Sequence, residues 1–139
     1  MEIRRFGTSG LAVSVVGLGG NNLGRVGTTS ETPNGTAALV HAALDAGITL
    51  FDTADCYGKT LGLSEELPGL VLGNRRDDEV AATTFGVERG RTNVSDHGAG
   101  GLRLYITQAG PAARTRFATA RRALYVFPTP LHPTRSART

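Results

Sequence analysis

The eleven residues from Ile48 to Gly58, ITLFDTADCYG, set two acids, a thiol and a phenol directly behind an apolar run. Ile48, Thr49, Leu50 and Phe51 have strand composition, and Asp52, Thr53, Asp55, Cys56 and Tyr57 follow at once. The pattern predicts a buried strand over 48–51 with the polar groups crowded just past its carboxyl end. In parallel α/β sheets that end is where active sites are built. A carboxylic acid and a phenol five residues apart in such a place, Asp52 and Tyr57, point to proton transfer. The plainer alternative is a capping acid beside a packed tyrosine.

The elements that would position these groups can be read on both sides. Ile3 to Ser14 predicts a hairpin, two short strand-like runs around a Thr8-Ser9-Gly10 turn. Val15 to Leu18 predicts a short strand that runs into Gly19, Gly20, Asn21 and Asn22. Residues 23–34 are polar and turn-rich. From Gly35 to Ala46 the residues Leu39, Val40, Ala43 and Leu44 fall on one helical face, with Gly47 placed to end the helix. Strand, helix and strand make a βαβ unit and so a parallel sheet. Ser64 with Glu65 and Glu66 predicts a capped helix start, Leu67 to Leu72 its buried face, and Pro68 a weak point within it. Glu79 to Phe85 predicts the next strand. Beyond Gly86 the regularity fades: a glycine-rich loop over 86–101, a short helix over Leu102–Ala109 stopped by Gly110-Pro111, and a fourth strand over Leu124–Phe127. The last stretch, 128–139, holds three prolines and predicts disorder.

Length and composition bound the function classes. A chain of 139 residues makes one domain with one core. No run of eighteen apolar residues predicts a transmembrane helix, and the N-terminus lacks the apolar stretch of a secretory signal. The single cysteine, Cys56, excludes an internal disulfide and fits a reducing cytoplasm. His41, His97 and His132 are scattered without metal-ligand spacing, so no metal site is expected. The net charge of +3 conceals an asymmetry: residues 1–96 hold eight cations against all twelve acids, and residues 97–139 hold seven arginines and no acid. That change of character puts a boundary between a domain over 1–106 and a basic, Pro/Arg-rich tail over 107–139. The arginines lack a recognisable nucleic-acid-binding fold, so a solvated tail is the stronger reading and no nucleic acid is expected as a partner.

Read in order, RRFGTSGLAVSVVGLGGNNLG, AALVHAALDAGITLFDTADCYG and SEELPGLVLGNRRDDEVAATTFG resemble the aldo-keto reductases. The resemblance covers residues 1–86 and continues faintly beyond. It implies an α/β fold, a partial (β/α)8 TIM barrel made of an N-terminal hairpin and three to four βα units. It implies carbonyl reduction by hydride transfer from NADP(H), with Asp52 and Tyr57 as catalytic residues and Gly20, Asn21 and Asp52 beside the cofactor. In that chemistry the tyrosine is the general acid, a lysine paired with the aspartate lowers its pKa, and a histidine orients the carbonyl. A free phenol titrates near pH ~10, so a neighbouring cation matters.

Two positions depart from the family pattern. The lysine would follow the third barrel strand, where Thr84 stands, and the histidine would follow the fourth, where Pro128 stands. A full barrel needs roughly 250 residues. The expectation is an oxidoreductase-family chain that is inactive alone, whose partner when active is a small-molecule carbonyl compound. The alternative is a non-catalytic half-barrel module that self-associates through its exposed sheet edges. Lys59, two residues past Tyr57, is a candidate substitute cation.

Overall fold

Gly7 (φ 56) and Gly10 (φ 79) take up the left-handed conformations that turn the chain back on itself. The result is the expected antiparallel hairpin, β1 (Ile3–Arg5) against β2 (Ala12–Ser14). Ser14 ties it to the rest: its hydroxyl accepts from the backbone N–H groups of Thr49 and Leu50 at 2.9 and 3.3 Å, and its own N–H donates to the Thr49 hydroxyl at 2.9 Å. The computed structural model of the protein describes residues 1–84, 103–117 and 123–126.

Strand β3 (Gly17–Gly19) runs into a single 3-10 turn, Gly20–Asn22. Helix α1 (Pro33–Asp45) begins two residues ahead of the expected Gly35. Thr32 caps it by accepting from the Gly35 N–H, and Pro33 suits the first helical position, where an N–H has no partner anyway. Gly47 (φ 82) ends the helix as expected, its N–H bonding the Leu44 carbonyl while that of Ile48 bonds the Ala43 carbonyl. This ending occupies Ile48. Strand β4 therefore runs Leu50–Ala54 rather than 48–51, and Asp52 and Thr53 lie within it instead of past its end.

Helix α2 (Leu63–Leu72) is capped at Gly62, not at Ser64. Ser64 lies inside the first turn and its hydroxyl is committed to tertiary contacts. Pro68 sits in the helix interior without ending it. It removes one backbone hydrogen bond, but Leu67, Pro68 and Leu72 are all buried, and that burial outweighs the loss. A 3-10 segment (Gly73–Asp78) leads to β5 (Val80–Thr84). Helix α3 spans Arg103–Arg116, straight through the Gly110-Pro111 pair expected to stop it. Its far end buries Ala113 and Phe117 against Ala81 of β5, which holds the helix together past the proline. The boundary expected at residue 106 thus falls inside α3. Strand β6 (Ala123–Val126) is the expected fourth strand, paired in parallel with β5. The expected loop over 86–101 and disorder over 128–139 lie outside the described residues.

The sheet order is β3-β4-β5-β6, all parallel, with α1, α2 and α3 linking successive strands. A hairpin followed by three consecutive βαβ steps is the opening part of a (β/α)8 barrel. No helix among the described residues is long and apolar enough to cross a membrane. The core lies between the sheet and its helices, where Phe51 of β4 packs with Val40, Ala43 and Leu44 of α1 and Leu72 of α2.

Two buried carboxylates fasten the later elements. Glu65 joins Thr83 of β5 to Arg116 of α3. Glu79, fully buried ahead of β5, lies 2.8 Å from an Arg76 nitrogen without the alignment of a hydrogen bond. Arg76 also donates through Nε to the Phe117 carbonyl at 3.3 Å and lies over the Phe117 ring at 6.0 Å. Burial pushes the Glu79 carboxyl up to about 7, with Arg76 opposing that rise. In the unfolded chain a glutamate titrates near ~4.3. Between these values the folded protein holds a proton that the unfolded chain releases, so stability falls as pH rises from about 4.5 to about 7. Urea denaturation at pH 5 and pH 8 should show the wild type losing up to about 3 kcal/mol from this group, and Glu79→Gln losing much less.

Candidate active site

The alternation of side chains along β4 and β5 decides what the site contains. Phe51 packs into the helix-facing core and the Thr53 hydroxyl meets that of Ser64 in α2. Leu50, Asp52 and Ala54 therefore face the opposite side, the barrel interior. On β5, Ala81 packs against α3 and Thr83 bonds Glu65, so Val80, Ala82 and Thr84 share the interior with Asp52. Asp52 is in register with Ala82, and Thr84 with Ala54. Thr84 thus stands on the same face as Asp52, two residue pairs nearer the carboxyl end, with a neutral side chain.

Tyr57 follows β4 in a loop from Asp55 to Gly62. The Asp55 N–H donates to the Thr84 carbonyl at 3.1 Å, and the Gly62 N–H closes the loop on the Asp55 carbonyl at 2.6 Å. Asp55 is buried in this turn, in keeping with a shaping role. Cys56 and Tyr57 are half-buried. Burial pushes the Tyr57 phenol above its ordinary value, and the charges of Asp52 and Cys56 push it further the same way. Burial also raises the Asp52 carboxyl. Lys59, the candidate substitute cation, has its ammonium 3.5 Å from Glu31. Pro128 and His97 lie outside the described residues.

The two residues expected beside a nicotinamide differ in kind. Gly20 is buried, its carbonyl accepts from the Ser64 hydroxyl at 2.7 Å, and a Cβ there would come within 3.0 Å of the Asp52 carbonyl and of Thr53. Its glycine is required by the close approach of β3 and β4, a need the GLGG run did not reveal. Asn21, next in the same turn, is exposed. Ser64, expected to cap α2, instead links three elements. Its buried hydroxyl stands 2.6 Å from Thr53 Oγ1 and fastens the Gly20 turn to β4 and α2 at once.

Asp52 on β4 and Tyr57 in the loop after it stand towards the carboxyl ends of parallel strands, the end of a (β/α)8 barrel where active sites are built. The Aldo/keto reductase family model matches residues 15–135. Among curated proteins, 6-dehydroglucose reductase of Novosphingobium aromaticivorans is 42% identical over 91 residues, which cover 60% of this chain and 29% of that protein. The uncharacterised oxidoreductase YqkF of Bacillus subtilis is 35% identical over 124 residues, 86% of this chain and 36% of its own length. An aldo-keto reductase from Bacillus halodurans, in its holo form, superposes with a TM-score of 0.69 at 31% identity, covering 91% of this chain and 40% of that one. The chain belongs to the aldo/keto reductase family. It spans about a third of the length of these curated relatives.

Removing the Ser64 hydroxyl leaves the Thr53 hydroxyl and the Gly20 carbonyl buried with one partner fewer. Ser64→Ala should cost about 1–3 kcal/mol in urea denaturation, more than an exposed serine such as Ser9 would.

Proposed function

We propose that this chain carries the acid–phenol portion of an NADP(H)-dependent carbonyl-reducing site and reduces little or no carbonyl substrate by itself. The observation that carries this reading is the strand register: the interior-facing position two residues beyond the partner of Asp52 holds the neutral Thr84, while the charges of Asp52 and Cys56 raise the Tyr57 pKa. In this reading Tyr57 faces the substrate oxygen as general acid and Asp52 is the carboxylate that a cation would pair with. NADPH, when bound, supplies the hydride; Asn21 and Asp52 hold its nicotinamide end, and Gly20 shapes the turn beneath them. With its pKa raised, the phenol holds its proton more tightly, so donation to a carbonyl oxygen at neutral pH is disfavoured.

Two measurements test this. The purified chain given NADPH and a simple aldehyde should show no oxidation of NADPH above background; robust turnover would overturn the reading. Thr84→Lys should lower the Tyr57 pKa relative to the wild type, because an opposite charge on the same face favours the phenolate. Ultraviolet titration of that variant, against the same variant carrying Tyr57→Phe, isolates the signal of Tyr57.

A second reading has its own observation. Among the described strands β3 and β6 each pair with a single neighbour, which leaves two sheet edges for a second copy of the chain. Size-exclusion chromatography with light scattering should then give a defined oligomer; a monomer or a polydisperse aggregate would exclude it.

A further inference from the structure

We infer that Arg116, at the end of α3, is a positioning residue for the loop that carries Tyr57. The importance of that loop rests on the function proposed above; the brace itself does not. Gly62 is the joint of the loop. Its N–H closes the loop on the Asp55 carbonyl, and its own carbonyl accepts from the N–H groups of Glu65 and Glu66, both at 3.0 Å, to start α2. Gly62 is buried with φ 76, and a Cβ there would overlap Cδ and Nε of Arg116. The arginine therefore fills the space beneath the joint that any other side chain would need.

The other side of the guanidinium is fixed as well. Arg116 Nε donates to Glu65 Oε2, and Glu65 Oε1 accepts from the Thr83 hydroxyl at 2.6 Å. Glu65 is fully buried, so withdrawing Arg116 would leave a buried carboxylate without its cation. The backbone is held too: a Cβ on Gly69 would overlap the Arg116 carbonyl, so α2 and the end of α3 approach as closely as glycine allows. Arg116 thus joins β5, α2 and the Tyr57 loop from a part of the chain whose sequence reads as a solvated basic tail.

Cys56, the only cysteine in the chain, neighbours Tyr57 and reports on this loop. Its rate of reaction with Ellman's reagent under native conditions is the readout. In the double variant Arg116→Met/Glu65→Gln, which removes the guanidinium without stranding a carboxylate, labelling should be roughly tenfold faster than in the wild type, the scale of one lost charged hydrogen bond. Val40→Ala, in the core under α1, weakens the fold away from the loop and should leave the rate unchanged. A wild-type rate in the double variant, with its circular dichroism intact, would overturn the inference. So would equal acceleration in Val40→Ala, which would trace labelling to global opening. If the double variant does not fold, Arg116→Lys is read instead. It keeps a cation opposite Glu65 but removes the plane of atoms beneath Gly62, and it too should speed labelling; a wild-type rate there overturns the inference. None of these readouts involves NADPH or turnover, so failure of the brace and failure of the reductase reading remain distinct results.

Discussion

Two adjacent side chains at the start of α2, Ser64 and Glu65, hold the arrangement on which the rest of the molecule depends. Both are completely buried. Ser64 reaches back to the Gly20 turn after β3 and across to Thr53 of β4, while Glu65 reaches forward to Thr83 of β5 and Arg116 of α3. Buried polar groups are tolerated only when their hydrogen bonds are met, and meeting them here requires these elements to lie at fixed separations. A purely apolar start to α2 could slide against the sheet. Two directional side chains cannot, and so the carboxyl ends of β3, β4 and β5, where Asp52, Asn21 and Thr84 sit, are set relative to one another.

The same constraint explains which parts of the fold were legible in the sequence. Period and turn chemistry are local, and local signals gave the hairpin, α1 with its Gly47 ending, the order of strands and helices, and β6. The misreadings share one cause. Ser64 looked like a helix cap because its hydroxyl is a good local acceptor, yet a tertiary partner claimed it. Pro111 looked like a stop because it breaks one local hydrogen bond, yet the burial of Ala113 and Phe117 carried α3 past it. The apolar run points to a strand from Ile48, but the helix ending consumes that residue and β4 begins at Leu50. Each error lies where a long-range contact overrode a neighbour-level preference.

For the candidate site the balance is similar. That Asp52 and Tyr57 come near the carboxyl end of a parallel strand is legible because strand composition and βαβ order are local signals. Lys59 shows the limit of spacing as a guide. It is two residues from the phenol, but the loop directs it to Glu31, and sequence distance says nothing of direction once a chain leaves its strand. Arg116 shows the converse: a residue 59 positions beyond Tyr57, in an acid-free stretch, packs beneath its loop. Bulk charge asymmetry could not reveal this, because the acid that binds Arg116 lies in the other half of the chain.

In the proposed reading the proton chemistry depends on the interior position held by Thr84. Asp52 and Tyr57 are both shifted upward, the acid by burial and the phenol by burial together with the nearby negative charges. A cation at residue 84 would draw both downward, since it would stabilise the carboxylate and the phenolate alike. Threonine there satisfies the strand equally well: it is β-branched, it keeps the register with Ala54, and its carbonyl still accepts from Asp55. The fold therefore gains nothing from a lysine at this position and loses nothing without it. The barrel geometry and the proton chemistry are separable in this chain, because the bonds that hold the geometry, through Ser64 and Glu65, point to the helix side of the sheet, and the groups that would do the chemistry point to the other.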